Sequence, residues 1–315
     1  MSRPLITIFE QIHQSGIDEL RKFADIKLAF GASRRQHIEL SSISDAIIVK
    51  SAVQVDDELM RNAPSLRVIA RAGTGVDNID VAEADRLKIR VLSVPTGNSV
   101  SAAEFTILQI LSLCRRMPEV IAFSNRKDYR RHLLEGRELK NLQVGLVGMG
   151  KVGFLVFERL KSFGCKVLAF DPYSEQLSKF SSQGGNICES FDDLISNVDV
   201  LSFHCRLTSD NYHMMDEIQF NQVKPGLLLI NTARANLINQ DALLRALDSG
   251  KVLAASLDVI YPELPFDAKP NEHNYYSDML KNKSAFVTPH IGASTVDAQK
   301  RISLDISDQI SGILN

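Results

Sequence analysis

Three polar residues in the second half of the chain, Arg234, Glu263 and His290, have side chains suited to acid–base chemistry on an organic acid. An arginine can hold a carboxylate by two parallel hydrogen bonds, and a histidine can take or give a hydroxyl proton. A glutamate beside the histidine would select its tautomer and favour its charged form. Taken singly, the three could be a surface charge, a solvated loop residue and a packing histidine. Because each follows a short apolar segment, we expect them at the carboxyl ends of parallel strands, where open α/β sheets bind ligands.

A glycine-rich segment supplies a second kind of site. Gly148, Gly150 and Gly153 follow the apolar stretch 144–147 and open a helical pattern. The first glycine permits a tight turn, the second lets the backbone approach a pyrophosphate, and the third lets the helix pack closely on the sheet. The helix would begin at Lys151 and Val152, where unpaired N–H groups favour an anion. The alternative is a glycine turn without a ligand, but the strand before it and the helix after it favour a dinucleotide site.

The expected identity of the dinucleotide depends on Asp171. This residue ends the next apolar strand pattern, about 20 residues after the last glycine, where a carboxylate can bind the adenosine ribose diol. The same carboxylate would repel the 2′-phosphate of NADP, and Pro172, Tyr173 and Ser174 supply no cation to receive that phosphate. The sequence therefore predicts NAD as the cofactor.

The elements that must position these residues alternate along the chain. Short apolar strands and helical patterns follow one another almost throughout, which is typical of parallel α/β sheets. At 315 residues the chain suits two domains. A turn at 95–98 precedes a long apolar helix, expected from Ser101 to Arg116, and a last helix is expected from about Ser294 to Leu314. Strands are predicted near residues 5–9, 26–30, 46–49, 66–70, 90–94, 144–147, 166–170, 198–203, 227–231 and 253–257, with a further short strand just before His290.

Composition excludes some partners. The chain has 36 basic and 38 acidic residues and no long block of like charge, so neither a nucleic acid nor a membrane surface is indicated. With no signal-peptide pattern and no apolar segment long enough for a membrane span, we expect a cytoplasmic protein. The four cysteines lack metal-ligand spacing, so we expect buried, reduced thiols and no metal.

Five further segments carry a family resemblance together with the glycine loop. They are RAGTGVDNID (71–80), PTGNSVSAAEFT (95–106), INTARANLI (230–238), LDVIYPELP (257–265) and TPHIGAST (288–295). Over nearly its whole length the chain resembles the NAD-dependent D-2-hydroxyacid dehydrogenases, and within that family the D-3-phosphoglycerate dehydrogenases most. The resemblance implies a Rossmann NAD-binding domain, 99–287, inserted in a flavodoxin-like substrate-binding domain made of 1–98 and 288–315. Both domains would be doubly wound parallel sheets.

The resemblance also implies roles for individual residues. Arg234 would anchor the substrate carboxylate, His290 would be the acid–base group with Glu263 as its partner, and Asp258 would hydrogen-bond the nicotinamide amide. The further cofactor-binding residues that it implies are His204, Thr232 and Ala233. The residues that it places near the substrate are Gly73, Thr74 and Gly75, through their backbone N–H groups, and Asn98.

A phosphorylated three-carbon acid would need further cations. Lys50, Arg71 and Arg131 are the candidates, and basic residues at positions equivalent to the first two support them through the resemblance. Each could instead be an ordinary solvated residue, with 126–131 forming a basic helix face. We expect oxidation of D-3-phosphoglycerate in the first step of L-serine biosynthesis. The alternatives are a glyoxylate or hydroxypyruvate reductase, a dehydrogenase for a larger D-2-hydroxy acid and, from another class, an NAD-sensing transcriptional corepressor.

The resemblance has departures and an implied assembly. Ala235 replaces the glycine usual after the arginine, and Arg206 replaces a usual proline and puts a charge near the expected nicotinamide pocket. Helices from Ser101 to about Leu134 are expected to form a homodimer across a two-fold axis. The chain ends soon after the last helix, so a short form without a C-terminal regulatory domain is expected.

Overall fold

The structure is a computed structural model that describes residues 3–173, 175–265 and 268–314. It divides into two compact units. The first consists of Met1–Ser99 and Ser294–Asn315, and the second of Val100–Ala293.

The first unit is built on a five-stranded parallel sheet. Its strands are β1 (Leu5–Ile8), β2 (Asp25–Leu28), β3 (Ala46–Val49), β4 (Val68–Arg71) and β5 (Arg90–Leu92). Its helices up to the end of β5 are α1 (Gln14–Arg21), α2 (Arg34–Ser41), α3 (Asp57–Arg61) and α4 (Val81–Arg86). The strand order is β2-β1-β3-β4-β5, the flavodoxin-like order. β3 is completely buried because its run of Ala, Ile, Ile and Val is apolar on both faces.

The second unit is built on a seven-stranded parallel sheet. Its strands are β6 (Gln143–Val147), β7 (Lys166–Phe170), β8 (Asn186–Ile187), β9 (Val200–Phe203), β10 (Leu227–Asn231), β11 (Val252–Leu257) and β12 (Ala285–Val287). The α-helices of this part of the chain are α5 (Ser99–Cys114), α6 (Met117–Asn125), α7 (Lys151–Lys161), α8 (Leu177–Ser182), α9 (Phe191–Asn197), α10 (Glu217–Gln222) and α11 (Gln240–Asp248). Short 3-10 turns occur at Arg131–Leu133, Leu139–Asn141, Ser209–Asn211, Ala235–Leu237 and Asp278–Leu280.

The strand order of this second sheet is β12-β11-β10-β9-β6-β7-β8. The chain therefore starts in the middle at β6, builds outward through β7 and β8, and returns to the other side at β9. Such a reversal is the point at which doubly wound sheets bind ligands, outside the carboxyl ends of the strands. The expected fold, a Rossmann sheet inserted in a flavodoxin-like one, is confirmed.

The last helix, α12 (Val296–Leu314), belongs to the first unit and packs on α1. Gly16 makes this contact close, since a Cβ there would lie 2.6 Å from the carbonyl oxygen of Ser303. The Ser303 hydroxyl accepts from the N–H of His13 at 2.9 Å, and the Ser307 hydroxyl donates to the carbonyl of Gly16 at 3.0 Å. The expected return of the chain is thus observed.

One expected helix boundary differs from the structure. Helix α5 ends at Cys114 rather than Arg116, because Arg116 has a left-handed backbone with φ of 52° and α6 starts at the next residue. The two compact units join at 99/100 and 293/294, and the domain bounds expected from the sequence stay a prediction. Residues 288–292 stay with the second unit because the carboxylate of Asp258 binds them, as described below. Among the described residues, no helix is both long and apolar enough to cross a membrane.

Candidate active site

The glycine loop joins β6 to α7 in the arrangement that the sequence predicts. Gly148 has φ of +95°, a conformation that other residues rarely adopt, and a Cβ there would lie 2.7 Å from the backbone nitrogen of Cys205. A Cβ at Gly153 would lie 2.1 Å from the carbonyl oxygen of Gly148, so any larger residue would push α7 away from the loop. A Cβ at Gly150 would meet nothing within 4 Å, which leaves the start of α7 open to a ligand. Lys151 and Val152 are the first residues of α7, so the loop fits a dinucleotide pyrophosphate.

Asp171 follows β7 and lies next to this loop. Its Oδ2 accepts a hydrogen bond from the N–H of Met149 at 2.7 Å, and its Oδ1 accepts from the N–H of Tyr173 at 2.9 Å. The carboxylate therefore helps to hold the glycine loop in shape. Because a carboxylate has about four acceptor positions, the expected contact with a ribose diol is compatible with these bonds.

The segment after β9 closes the other side of the loop. The N–H of His204 donates to the carbonyl of Val147 at 2.7 Å, and its Nε2 is buried without a hydrogen-bond partner among the described residues. Burial lowers the pKa of His204 to about 3, so the ring is neutral near pH 7. Where a proline is usual, Arg206 is exposed, and its carbonyl accepts from Nδ2 of Asn211 at 2.7 Å. The Asn211 side chain thus holds the backbone of the loop at Arg206.

A turn after β10 presents Arg234. Asn231, the last residue of β10, is fully buried; its Oδ1 accepts from the N–H of Ala233 at 3.0 Å and its Nδ2 donates to the carbonyl of Arg234 at 2.9 Å. Thr232 shares a hydrogen bond of 2.9 Å with the hydroxyl of Thr106. The sequence argument missed Asn231, although a polar residue at the end of an apolar strand was a signal that could have identified it.

Asp258 follows β11 and is only 2% exposed. Its Oδ1 accepts from the Thr288 hydroxyl at 2.6 Å and from the N–H of Ile291 at 2.9 Å, while Oδ2 accepts from the N–H of Gly292 at 2.7 Å. Three of its acceptor positions thus bind the turn that carries His290. The expected bond to a nicotinamide amide stays a prediction, whereas the anchoring of this turn was not expected.

His290 and Glu263 meet directly. His290 Nδ1 lies 2.6 Å from Glu263 Oε1. Since a carboxylate only accepts, Nδ1 carries the proton of a neutral ring, and Nε2 keeps the lone pair that can take a substrate proton. His290 has a left-handed backbone with φ of 54°, and its N–H donates to the carbonyl of Asp258 at 3.0 Å. Such strained backbone is found at functional sites, where the surrounding structure holds it in place.

The three chemical residues follow neighbouring strands of one sheet. Arg234 follows β10, Glu263 follows β11 and His290 follows β12, and these strands pair as β10 with β11 and β11 with β12. Their placement at one sheet edge agrees with the sequence prediction.

The first unit holds two of the expected cations on adjacent strands. Arg71 ends β4 opposite Val49 of β3, so Lys50 follows the residue that pairs with Arg71. The carboxylate of Glu10 accepts from the N–H of Lys50 at 2.7 Å and also binds the N–H groups of Ala52 and Val53. These backbone donors are therefore occupied by Glu10.

The loop after β4 carries the predicted backbone donors. The N–H of Gly73 donates to the carbonyl of Arg71 at 2.8 Å, and its expected bond to a substrate carboxylate stays a prediction. The Arg71 guanidinium lies over Gly73, where a Cβ would be 1.5 Å from Nη1. The donors predicted at Thr74 and Gly75 are likewise untested, and the Thr74 hydroxyl donates to Oδ1 of Asn98 at 2.7 Å.

Arg131 lies in the second unit, on an exposed 3-10 turn rather than on a helix face. The four cysteines are free thiols, and burial raises the pKa of Cys114 and Cys205 to about 11, so both stay protonated. Among the described residues, no cluster of three or more His, Cys, Asp or Glu side chains is arranged to bind a metal ion.

Comparison with known proteins places this site in a family. Residues 107–292 match the model of the D-isomer specific 2-hydroxyacid dehydrogenase, NAD binding domain. A D-3-phosphoglycerate dehydrogenase from Mycobacterium leprae is 34% identical over 310 residues, which cover 98% of this chain and 57% of that protein. A protein of the same name from Archaeoglobus fulgidus is 34% identical over 97% of this chain and 56% of its own length. The chain therefore spans little more than half the length of these relatives.

A solved structure has a fold similar to that of this chain over almost its whole length. The crystal structure of D-lactate dehydrogenase from Aquifex aeolicus, complexed with NAD and lactic acid, has a TM-score of 0.86 to this chain at 25% identity. The match covers 98% of this chain and 94% of that one.

Proposed function

Because the chain belongs to the D-isomer specific 2-hydroxyacid dehydrogenase family, whose NAD-binding domain matches residues 107–292, we propose that it oxidises D-3-phosphoglycerate to 3-phosphohydroxypyruvate with NAD, reversibly. This would be the first step of L-serine biosynthesis. The observation that carries the proposal is the 2.6 Å contact between Glu263 and His290 at the carboxyl edge of the NAD-binding sheet. The names of the two curated relatives supply the substrate.

Three residues and the cofactor would each have one role in this reaction. NAD, when bound, would supply the redox chemistry, which is hydride exchange with C2 of the substrate. Arg234 binds the substrate carboxylate by two parallel hydrogen bonds. Neutral His290 takes the hydroxyl proton at Nε2 during oxidation and returns it during reduction. Glu263 stabilises the imidazolium that is present between these steps.

The phosphate preference rests on Lys50 and Arg71, with Arg131 as a third candidate. Arg71 ends β4 and Lys50 follows β3, and these two strands pair, so both basic residues lie at the carboxyl ends of neighbouring strands. A phosphate can take charge-assisted hydrogen bonds from them that an unphosphorylated acid cannot. We therefore propose that they select the phosphorylated acid.

A substrate panel tests this assignment. With NADH, 3-phosphohydroxypyruvate should have a higher kcat/KM than hydroxypyruvate, glyoxylate or pyruvate. A higher value for glyoxylate or hydroxypyruvate would favour a reductase of that acid, and a higher value for pyruvate would favour the activity named for the Aquifex aeolicus structure. NAD binding without turnover of any acid would favour a corepressor.

A variant of Lys50 separates phosphate recognition from catalysis. Lys50→Ala should raise KM for 3-phosphohydroxypyruvate roughly tenfold, since one charge-assisted contact is worth about 1.5 kcal/mol, with little change on glyoxylate. Lys27→Ala is the matched control, because Lys27 is an exposed lysine on β2 of the same sheet. An unchanged KM in Lys50→Ala, or an equal rise for both acids, would refute the phosphate assignment.

We also propose a homodimer formed by the helices from Ser101 to about Leu134. Large apolar side chains are exposed there: Leu108, Met117, Ile121, Tyr129 and Leu133. Ile121 is 54% exposed, and covering such a surface by a second copy would remove it from water. Light scattering should give twice the 35.0 kDa chain mass, and Ile121→Asp should give the monomer. Ile218→Asp, at a residue 69% exposed elsewhere in the unit, should leave the dimer intact; a wild-type monomer would refute the proposal.

A cytoplasmic location is our proposal as well. Its support is that all four cysteines are free thiols, as is usual in a reducing compartment. Cell fractionation tests it.

A further inference from the structure

The segment 261–263, which carries Glu263, is exposed to solvent. Tyr261 is 59% exposed, and Pro262 and Glu263 are exposed as well. Burial therefore contributes little to holding these three residues. Yet Glu263 must keep its carboxylate at hydrogen-bond distance from His290 Nδ1.

Gln240 holds the start of this segment. Its Oε1 accepts from the N–H of Tyr261 at 2.9 Å, and its Nε2 donates to the carbonyl of the same residue. Gln240 is the first residue of α11, a helix capped by the side chain of Asn239 and buried along the face that carries Leu243 and Leu247. The primary amide thus fixes both backbone groups of Tyr261 to a firmly packed helix.

Tyr275 holds the next residue. Its hydroxyl donates to the carbonyl of Pro262 at 2.5 Å. Its ring is half-buried and, like Leu264, packs against the core cluster that contains Leu257 and Ile260. The hydroxyl therefore connects the residue immediately before Glu263 to the hydrophobic core.

We propose that Gln240 and Tyr275 are positioning residues of the active site, which hold Glu263 where it can accept the Nδ1 proton of His290. The inference rests on the proposed function, in which His290 uses Nε2 to exchange a proton with substrate. A displaced carboxylate no longer selects the Nδ1–H tautomer, so part of the neutral imidazole carries its proton on Nε2 and cannot act as a base there. The two anchors act through Glu263 and touch neither substrate nor cofactor.

Tyr275→Phe is the cleanest perturbation, because it removes one oxygen and leaves the ring on the core. Gln240→Ala removes the other anchor and leaves the cap of α11, which Asn239 provides. Tyr276→Phe is the matched control, since the hydroxyl of this neighbouring tyrosine bonds Asp278 rather than the glutamate segment. Glu263→Gln defines the result of losing the carboxylate itself.

The first measurement does not require that the protein turns over any substrate. In the unliganded chain with ¹⁵N-labelled histidine, the shifts of Nδ1 and Nε2 of His290 report which nitrogen carries the proton, and a His290→Asn sample assigns the signals. At a pH where the His290 ring is neutral, the wild type and Tyr276→Phe should show mainly the Nδ1–H tautomer. Tyr275→Phe and Gln240→Ala should move the shifts toward those of Glu263→Gln. Wild-type shifts in both variants would overturn the proposal, whatever reaction the protein catalyses.

The second readout is a double-mutant cycle on turnover. Tyr275→Phe should lower kcat of the reduction about five-fold and move its pH profile toward acid, with the dissociation constant for NADH unchanged. Combined with Glu263→Gln it should cost almost nothing more, because the residue that it positions has already lost its function. Equal losses in both backgrounds would show a general structural effect and overturn the proposal. The wild type could reduce no 2-oxo acid while Tyr275→Phe and Gln240→Ala still change the ¹⁵N shifts of His290. In that case the proposed function fails and the positioning role stands.

Discussion

Asp258→Asn should weaken the attachment of the His290 turn to the sheet and measurably destabilise the second unit. The aspartate makes three hydrogen bonds to the turn that carries the histidine, and it is 2% exposed. If the asparagine keeps its oxygen at the Oδ1 position, its NH₂ group faces the N–H of Gly292. That buried donor then has no acceptor, which costs about 1–3 kcal/mol.

The two bonds that remain also weaken. A hydrogen bond to a charged group is worth roughly twice a neutral one, so the bonds from Thr288 and Ile291 lose about 1 kcal/mol each. The total for Asp258→Asn is about 3–5 kcal/mol in free energy of unfolding. His290 has a left-handed backbone that needs this support, so kcat should fall at least tenfold, for which about 1.4 kcal/mol is sufficient.

Urea unfolding followed by circular dichroism measures the first effect, and NADH-coupled turnover measures the second. Asp199→Asn is the matched control, since Asp199 accepts one backbone bond, from the N–H of Gln143 at 2.8 Å, away from the turn. It should cost about 1 kcal/mol and leave kcat unchanged. A loss below about 1 kcal/mol for Asp258→Asn, or a full loss with normal kcat, would refute the link between this carboxylate and His290.

Four further outcomes are expected. His290→Ala should lower kcat by roughly 10²-fold or more through lost proton transfer, whereas Arg234→Ala should also raise KM sharply; a near-normal kcat in His290→Ala would contradict the acid–base role. Glu263→Gln should move the pH profile of reduction toward acid, because the imidazolium loses its anionic partner, and an unmoved profile would count against that pairing. Asp171 should give NAD at least a tenfold advantage over NADP in kcat/KM, about 1.4 kcal/mol, and equal use would exclude this role. The pKa of His204 is about 3 in the folded chain against 6.5 for the ordinary group, so the stability that the neutral ring contributes is complete above pH 6.5 and is lost as pH falls toward 3. Between about pH 7.5 and about pH 5, the free energy of unfolding of the wild type should therefore fall by about 2 kcal/mol more than that of His204→Gln. Equal pH dependence of the two in urea unfolding would contradict this.

Features whose causes are local could be predicted from the sequence alone. The glycine loop and Asp171 occupy one strand–helix–strand segment, so their spacing predicts their positions. The buried strands are short apolar runs, and their bounds differ little from the expected ones; the two-residue β8 is too short to give a pattern. Arg234, Glu263 and His290 could be assigned to one edge because residues that follow parallel strands share an edge.

The contacts that hold those residues in place depend on the tertiary fold. The 2.6 Å contact of Glu263 with His290 depends on bonds between residues far apart in the chain, such as Asp258 with Gly292 and Gln240 with Tyr261. The Asp258 carboxylate also ties the turn that carries His290 to the second sheet by three bonds. Glutamine, tyrosine and asparagine side chains bind whatever backbone group lies within reach, so their partners follow from strand register and loop path, and no spacing in the sequence encodes them.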